Sequence, residues 1–405
     1  MIASTQNLKI EKNKFFQPLA VTRRITSIDL LRGIVMIIMA LDHTRDYFHA
    51  DSLRFEPTDL EQTNVIFFFT RWITHFCAPV FVFLAGTSSF LSAQRKTKKE
   101  LSVSLLKRGL WLLLLEITII SFAWSFNINM PFTGLQVIWA LGISMISLAA
   151  LIHLPKKIIL IIAIIIVAGH NMLDGIHFNG FAWAALHEEK LFRINATHLV
   201  RISYPVLPWI GVMALGYCFG SLYTSNINAA RRKQWLLVIG SSAIFVFILL
   251  RLINVYGDLH PWTEQKSIAF TVLSFLNTTK YPPSLLYVLM TIGPAFIFLA
   301  FAETISGKLA QVIIHIGRVP MFYYILHLYL IHLVAMLAAQ LSGYSWSDMI
   351  LQRRTWVDPQ LKGYGFSLGV TYLVWIGVVL LLYPLCKWYD RYKTAHKEKW
   401  WLSYL

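Results

Sequence analysis

The stretch Arg24-Ile-Thr-Ser-Ile-Asp-Leu-Leu-Arg-Gly-Ile-Val-Met-Ile-Ile-Met-Ala-Leu-Asp-His-Thr-Arg-Asp-Tyr-Phe-His49 decides what kind of protein this is. From Gly33 to Leu41 it is unbroken apolar, and with its flanks it reaches the ~20 residues that cross a bilayer core as a helix. Polar groups crowd both ends. Asp29 and Arg32 lie one turn into the start, and Asp42, His43, Arg45, Asp46 and His49 gather at the far end. Ionisable groups are expensive beside hydrocarbon, so such a cluster points to a site. Histidine titrates near neutral pH, which makes the far end a candidate for proton chemistry at the opposite membrane face.

The same apolar signature recurs along all 405 residues, of which 57% are hydrophobic and 14% charged. An all-α, polytopic membrane bundle is expected rather than a soluble domain. Ten spans are predicted, at about 27–48, 65–92, 104–125, 132–153, 157–172, 204–223, 235–256, 283–303, 319–341 and 365–387. The apolar segments 267–277 and 305–317 are too short to cross unaided, and a crossing by 305–317 would make eleven. The bundle would occupy residues 25–390, between a basic cytoplasmic segment at 1–24 and a basic cytoplasmic tail at 391–405.

Charge follows this topology. With the N-terminus inside, 23 of the 36 Lys and Arg fall on inner segments, and the first outer loop holds six acids against two arginines. The positive-inside rule then places both termini in the cytoplasm of a cell (inner) membrane protein. The net charge of +16 is therefore no sign of nucleic-acid binding. Cys77, Cys218 and Cys386 lie singly in apolar runs, so neither a disulfide framework nor a metal site is expected. No cleaved signal peptide is expected either.

Several residues could carry chemistry. His43 and His49 are six apart, and Asp42 and Asp46 stand near enough to fix a histidine tautomer for general-base work. The plainer reading caps the helix with His43 and leaves His49 in a loop. Asp29 and Arg32 share a helix face and form either an intrahelical pair or a site for an anion arriving from the cytoplasm. Arg71 and His75, four apart, face one direction, which inside a span is normally the bundle interior. Glu116 in Leu-Leu-Leu-Leu-Glu-Ile needs a partner or a proton. Tyr323, His327 and His332 could line a cavity. The proline breaks at Pro205/Pro208 and Pro282/Pro283 mark outer helix starts, whose free N–H groups suit a polar or anionic ligand. No phosphate-binding loop, nucleophile elbow or zinc-helix motif is present in the sequence.

Ser27-Ile-Asp-Leu-Leu-Arg-Gly-Ile, followed by Asp42-His-Thr-Arg-Asp-Tyr-Phe-His49, resembles the catalytic domain of heparan-α-glucosaminide N-acetyltransferase and its bacterial relatives. So do Ser203-Tyr-Pro-Val-Leu-Pro-Trp, Thr279-Lys-Tyr-Pro-Pro-Ser and Gly317-Arg-Val-Pro-Met-Phe, which extends the resemblance over about 24–390. The resemblance implies an acyltransferase that moves an acetyl group from cytoplasmic acetyl-CoA, as co-substrate, to an amine or hydroxyl of a glycan or amino sugar on the outer face. Phe48-His49-Ala50 matches the family's histidine setting. Arg32 and His43, eleven apart, match the spacing in membrane acyltransferases that O-acetylate polysaccharides. Both histidines are therefore candidate bases, His49 being the expected base with His43 and Asp42 as positioning or relay groups and Asp46 beside them. Asp29, Arg32, Lys107, Arg108 and Arg318 are the expected CoA contacts, and Arg71, His75, Lys280, Tyr281 and His327 the expected acceptor contacts. The competing class is a transporter of a small polar solute. Homo-oligomerisation is left open.

Overall fold

The computed structural model describes residues 25–353 and 359–404; the basic segment 1–24 lies outside them. Helix accounts for 70% of the structure. The chain runs α1 (Thr26–Phe48), α2 (Val65–Trp72), α3 (Cys77–Ala93), α4 (Lys98–Leu115), α5 (Ser121–Ser125), β1 (Phe132–Leu135), α6 (Val137–Leu151), α7 (Lys156–Gly169), α8 (Phe181–His187), β2 (Lys190–Arg193), β3 (Leu199–Ile202) and α9 (Leu207–Phe219). It continues with α10 (Ala229–Ile253), α11 (Ile268–Leu276), α12 (Leu285–Ala302), α13 (Lys308–Arg318), α14 (Pro320–Leu341) and α15 (Leu368–Ala395).

Each of the ten expected spans coincides with a helical stretch, and six of these stretches are both long and apolar enough to cross a bilayer. The chain is a multi-pass membrane protein. Phe245 and Leu252 on α10 and Leu373 and Leu380 on α15 are more than half exposed, as lipid-facing side chains are. α13 has 11 residues and α11 has nine. At 1.5 Å per residue they reach only ~16 and ~14 Å against a core of ~30 Å, so neither crosses alone. α15 continues through Arg391 to Ala395, so the expected tail begins as helix.

The structure departs from expectation at one point and decides two alternatives. Residues 132–135 are strand, not the start of the fourth helix. β1 pairs in parallel with β3, and β3 pairs antiparallel with β2, giving a small sheet of order β1-β3-β2 in an otherwise α-helical protein. α1 runs unbroken past His43 and ends at Phe48. Glu116 is structural. It lies where α4 loosens into a π-turn, and its carboxylate accepts the backbone N–H of Gln136 (3.0 Å) and Trp139 (3.2 Å), so a neighbouring helix supplies the cap at the start of α6.

Helices meet through glycine. Gly33 of α1 faces the Ile313 carbonyl of α13, Gly86 of α3 faces Met213 of α9, and Gly109 of α4 faces Gly142 of α6. No Cβ fits at these points, which is how helices approach closely where lipid supplies no hydrophobic drive. α1 is the central element and packs against α3, α12, α13, α14 and α15. Its C-terminal end therefore opens among helices rather than onto lipid.

Candidate functional site

The C-terminal end of α1 lines a cavity of about 530 Å³. Three groups of elements enclose it: α1 with the α2–α3 junction, the α5–β1–α6 turn with β3, and the loops around α11.

Asp42 organises the first group. Its carboxylate accepts from Arg71 Nη1 at 2.8 and 2.7 Å and from Thr74 Oγ1 at 2.9 Å, and Arg45 Nη1 lies 2.7 Å away. Arg45 Nη2 donates to Asp46 at 2.6 Å. Two guanidinium groups and two carboxylates are thus held together, each stabilised by the others. Arg71 and His75 reach this wall because the helix tightens to a 3₁₀ turn over Ile73–Phe76, between α2 and α3.

His43, one residue after Asp42, is held from behind. His327 Nδ1 lies 2.9 Å from the Tyr323 carbonyl, and His327 Nε2 lies 2.7 Å from His43 Nδ1. A carbonyl only accepts. With neutral rings, His327 therefore donates from Nδ1, His43 donates from Nδ1 to His327, and His43 Nε2 keeps its lone pair. The two rings are nearly coplanar, at 8°, and Trp124 packs edge-on against His43 with centroids 4.9 Å apart. Tyr47 in turn ties Trp124 by donating to its carbonyl at 2.6 Å. His43 lines the cavity with one unprotonated nitrogen and a fixed ring plane.

His49 is elsewhere. Its Nδ1 lies 3.1 Å from the Phe366 carbonyl, its ring packs on Phe67, and Nε2 is 3.7 Å from Asp51. Burial pushes its pKa down, against the opposing pull of the Phe366 carbonyl and Asp51. It is not on the cavity wall. The structure separates the two histidines because six residues turn a helix by about 600°, leaving them some 120° apart.

Lys280 and Tyr281 close the opposite side, on a loop that Asp258 holds. The Asp258 carboxylate accepts from Thr279 N (2.9 Å), Thr279 Oγ1 (2.7 Å) and Ser284 Oγ (2.6 Å). Buried Arg251 steadies the same region by donating to the carbonyls of Ser274, Phe275 and Asn277, at the end of α11. Lys280 Nζ sits 5.2 Å from the Tyr281 ring and 6.0 Å from Tyr204, a cation held by aromatic faces. Burial would raise the Tyr281 phenol, but the charges of Lys280 and Arg71 outweigh it and bring the pKa below its ordinary value.

Of the expected acceptor contacts, Arg71, His75, Lys280 and Tyr281 line the cavity, while His327 stands behind His43. Tyr323 and His332 are buried behind the wall rather than on it, and His332 bridges the Ala123 and Met349 carbonyls at 2.8 Å each. Asp29, Arg32 and Arg318 gather at the N-terminal end of α1. Arg32 donates to Asp29, Ser88 and the Gly317 carbonyl, Arg318 reaches Asp29 at 3.4 Å and Asp390 at 3.5 Å, and His315 pairs with Asp390 at 2.7 Å. Lys107 and Arg108 stand apart on α4. Sequence reasoning missed Trp124, Tyr204 and the Glu189–Arg201 pair at 2.8 Å. Tyr204 sits in the proline break already noted; the pair lies in a hairpin with no distinguishing pattern.

The cavity at the C-terminal end of α1 holds a hydrogen-bonded histidine beside fixed charges and aromatic rings within a membrane bundle. The sequence profile described as "Heparan-alpha-glucosaminide N-acetyltransferase, catalytic" matches residues 24–252. The chain belongs to this family and carries a membrane acyltransferase-type domain. The match covers α1 to α10, a shorter reach than the expected 24–390, so the Lys280 loop and His327 lie beyond it. No curated protein matches the chain.

Proposed function

We propose that this protein transfers an acyl group, acetyl in the simplest case, from cytoplasmic acyl-CoA to a hydroxyl or amine of a sugar held in the outer cavity. The observation that carries the reading is the Tyr323–His327–His43 chain of hydrogen bonds, which leaves His43 Nε2 as an acceptor on the cavity wall. The acceptor's oxygen or nitrogen attacks the thioester carbonyl while His43 Nε2 takes its proton. The tetrahedral intermediate collapses with loss of the CoA thiolate, and the imidazolium returns the proton to sulfur. No covalent enzyme intermediate is needed when both substrates meet in one cavity. Trp124, Tyr204 and Tyr281 offer flat faces for a sugar ring, and Arg71 and Lys280 offer charge to its hydroxyl or acidic substituents.

The donor's long arm has to run along α1. Arg32 and His43 are separated by about 16 Å of helix rise. Arg32 is held by Asp29, Ser88 and the Gly317 carbonyl, and Arg318, although partly exposed, is paired with Asp29 and Asp390, so exposed Lys107 is the better contact for CoA phosphates. The test is acetyl-CoA turnover by the purified protein in detergent with amino-sugar and polysaccharide acceptors, together with thermal stabilisation by CoA. Neither transfer nor thioester hydrolysis, with no stabilisation at millimolar CoA, would remove the acyltransferase reading and favour a transporter.

The orientation in which both termini face the cytoplasm rests on the basic bias of the inner segments. Gln62 and Lys99 are both exposed, just beyond opposite ends of the continuous α2–α3 span, and the native cysteines Cys77, Cys218 and Cys386 are buried. A membrane-impermeant maleimide applied to intact cells is expected to label Gln62→Cys and spare Lys99→Cys. The reverse pattern would invert the topology.

A further inference from the structure

A second cluster of titratable side chains lies away from the cavity. His170 and Asp174 follow α7 on a short 3₁₀ turn, and His187 is the last residue of α8. One ligand atom from each lies within 4.8 Å of the other two. Asp174 Oδ1 is 3.0 Å from His187 Nε2, and Asp174 Oδ2 accepts from Asn171 at 2.8 Å. Asn171 itself is fixed, because its Oδ1 accepts the backbone N–H of Leu285 at the start of α12.

His170 is the telling member. It is 2% exposed, and neither ring nitrogen has a hydrogen-bond partner. Nδ1 of His187, 3% exposed, is also without one. Burying a polar ring with nothing to bind costs free energy, and buried polar atoms are nearly always satisfied. The two rings stand 5.6 Å apart, centroid to centroid, over the same carboxylate. Two imidazoles and one carboxylate on a constrained turn are a donor set for a divalent transition metal, zinc above all.

We propose that His170, Asp174 and His187 bind Zn²⁺ as three protein ligands, with water completing the tetrahedron. Asn171 is the outer partner that orients the Asp174 carboxylate, as carboxylate ligands in metal sites require. The ion joins the outer end of α7 to the end of α8. α8 leads within two residues into Glu189, whose pairing with Arg201 forms part of the cavity wall, so the metal anchors that wall without entering the chemistry. Sequence inspection predicted no metal, because the ligands are spaced four and thirteen apart with no cysteine and no zinc-helix motif. Only the fold brings α8 back onto α7.

The test uses the full-length protein in detergent, metal-stripped and with any polyhistidine tag removed. Zn²⁺ titration by calorimetry and metal analysis after dialysis are expected to give one bound ion per chain and a raised unfolding temperature. His170→Ala and Asp174→Asn should each weaken binding by more than ~100-fold, since loss of an outer partner alone costs 10–100-fold. Asp174→Asn is nearly isosteric and keeps a folded control available. His177→Ala, at an exposed histidine outside the set, should bind like wild type. Absence of a stoichiometric ion at micromolar Zn²⁺, or wild-type binding by Asp174→Asn or His170→Ala, would overturn the assignment.

Discussion

Replacing His43 with Asn is expected to lower acyl-transfer turnover by about 10²–10⁴-fold, the usual contribution of a positioned general base. The effect should fall on kcat, because stabilisation by CoA does not depend on the proton acceptor. His49→Asn is expected to keep most of its activity. Its ring is spoken for by the Phe366 carbonyl and sits against Phe67, outside the cavity. The comparison is decisive because the two variants make the same chemical change six residues apart on one polypeptide segment. Steady-state rates on protein with a wild-type unfolding temperature are the measurement. Near-normal turnover in His43→Asn would end its assignment as base, and a severe loss confined to His49→Asn would move the base to the family's own histidine setting.

Asp42→Asn is expected to destabilise the protein by about 3–5 kcal/mol, the range seen when one partner of a buried ion pair is removed. Arg45 and Arg71 both converge on this carboxylate, and both side chains are at least nine-tenths buried. Without it, Arg71 loses its carboxylate, Arg45 keeps only Asp46 of its two, and Thr74 is left with the Arg71 carbonyl as acceptor. The cost belongs largely to the stranded cations rather than to the lost attraction. Asp42→Asn with Arg71→Gln should therefore lose less than the sum of the single changes, and a double-mutant cycle in denaturant reads that coupling. Additive losses, or an unfolding temperature unchanged in Asp42→Asn, would show that the cluster is solvated rather than buried.

The sequence by itself determined the membrane class, the placement of ten helical stretches and the chemical character of α1. Those are local properties. Apolar run length, charge at run ends and the i, i+4 pairing of Arg71 with His75 are all visible without knowing what packs where. Lys280 and Tyr281 were legible for the same reason, because Thr-Lys-Tyr-Pro-Pro-Ser marks a helix start and carries a charge. Tertiary structure decided the rest. It chose the cavity histidine through the phase of α1 and the arrival of His327 from 284 residues away. It turned Arg32 from an open anion contact into a bracket between α1, α3 and the Gly317 carbonyl, and Glu116 into a cap for a different helix. It also gathered His170, Asp174 and His187 from segments with no shared pattern. A side chain's partner across a helix interface depends on helix phase and crossing point, which are set by where glycines allow backbones to touch, and no local reading of residue order contains that information.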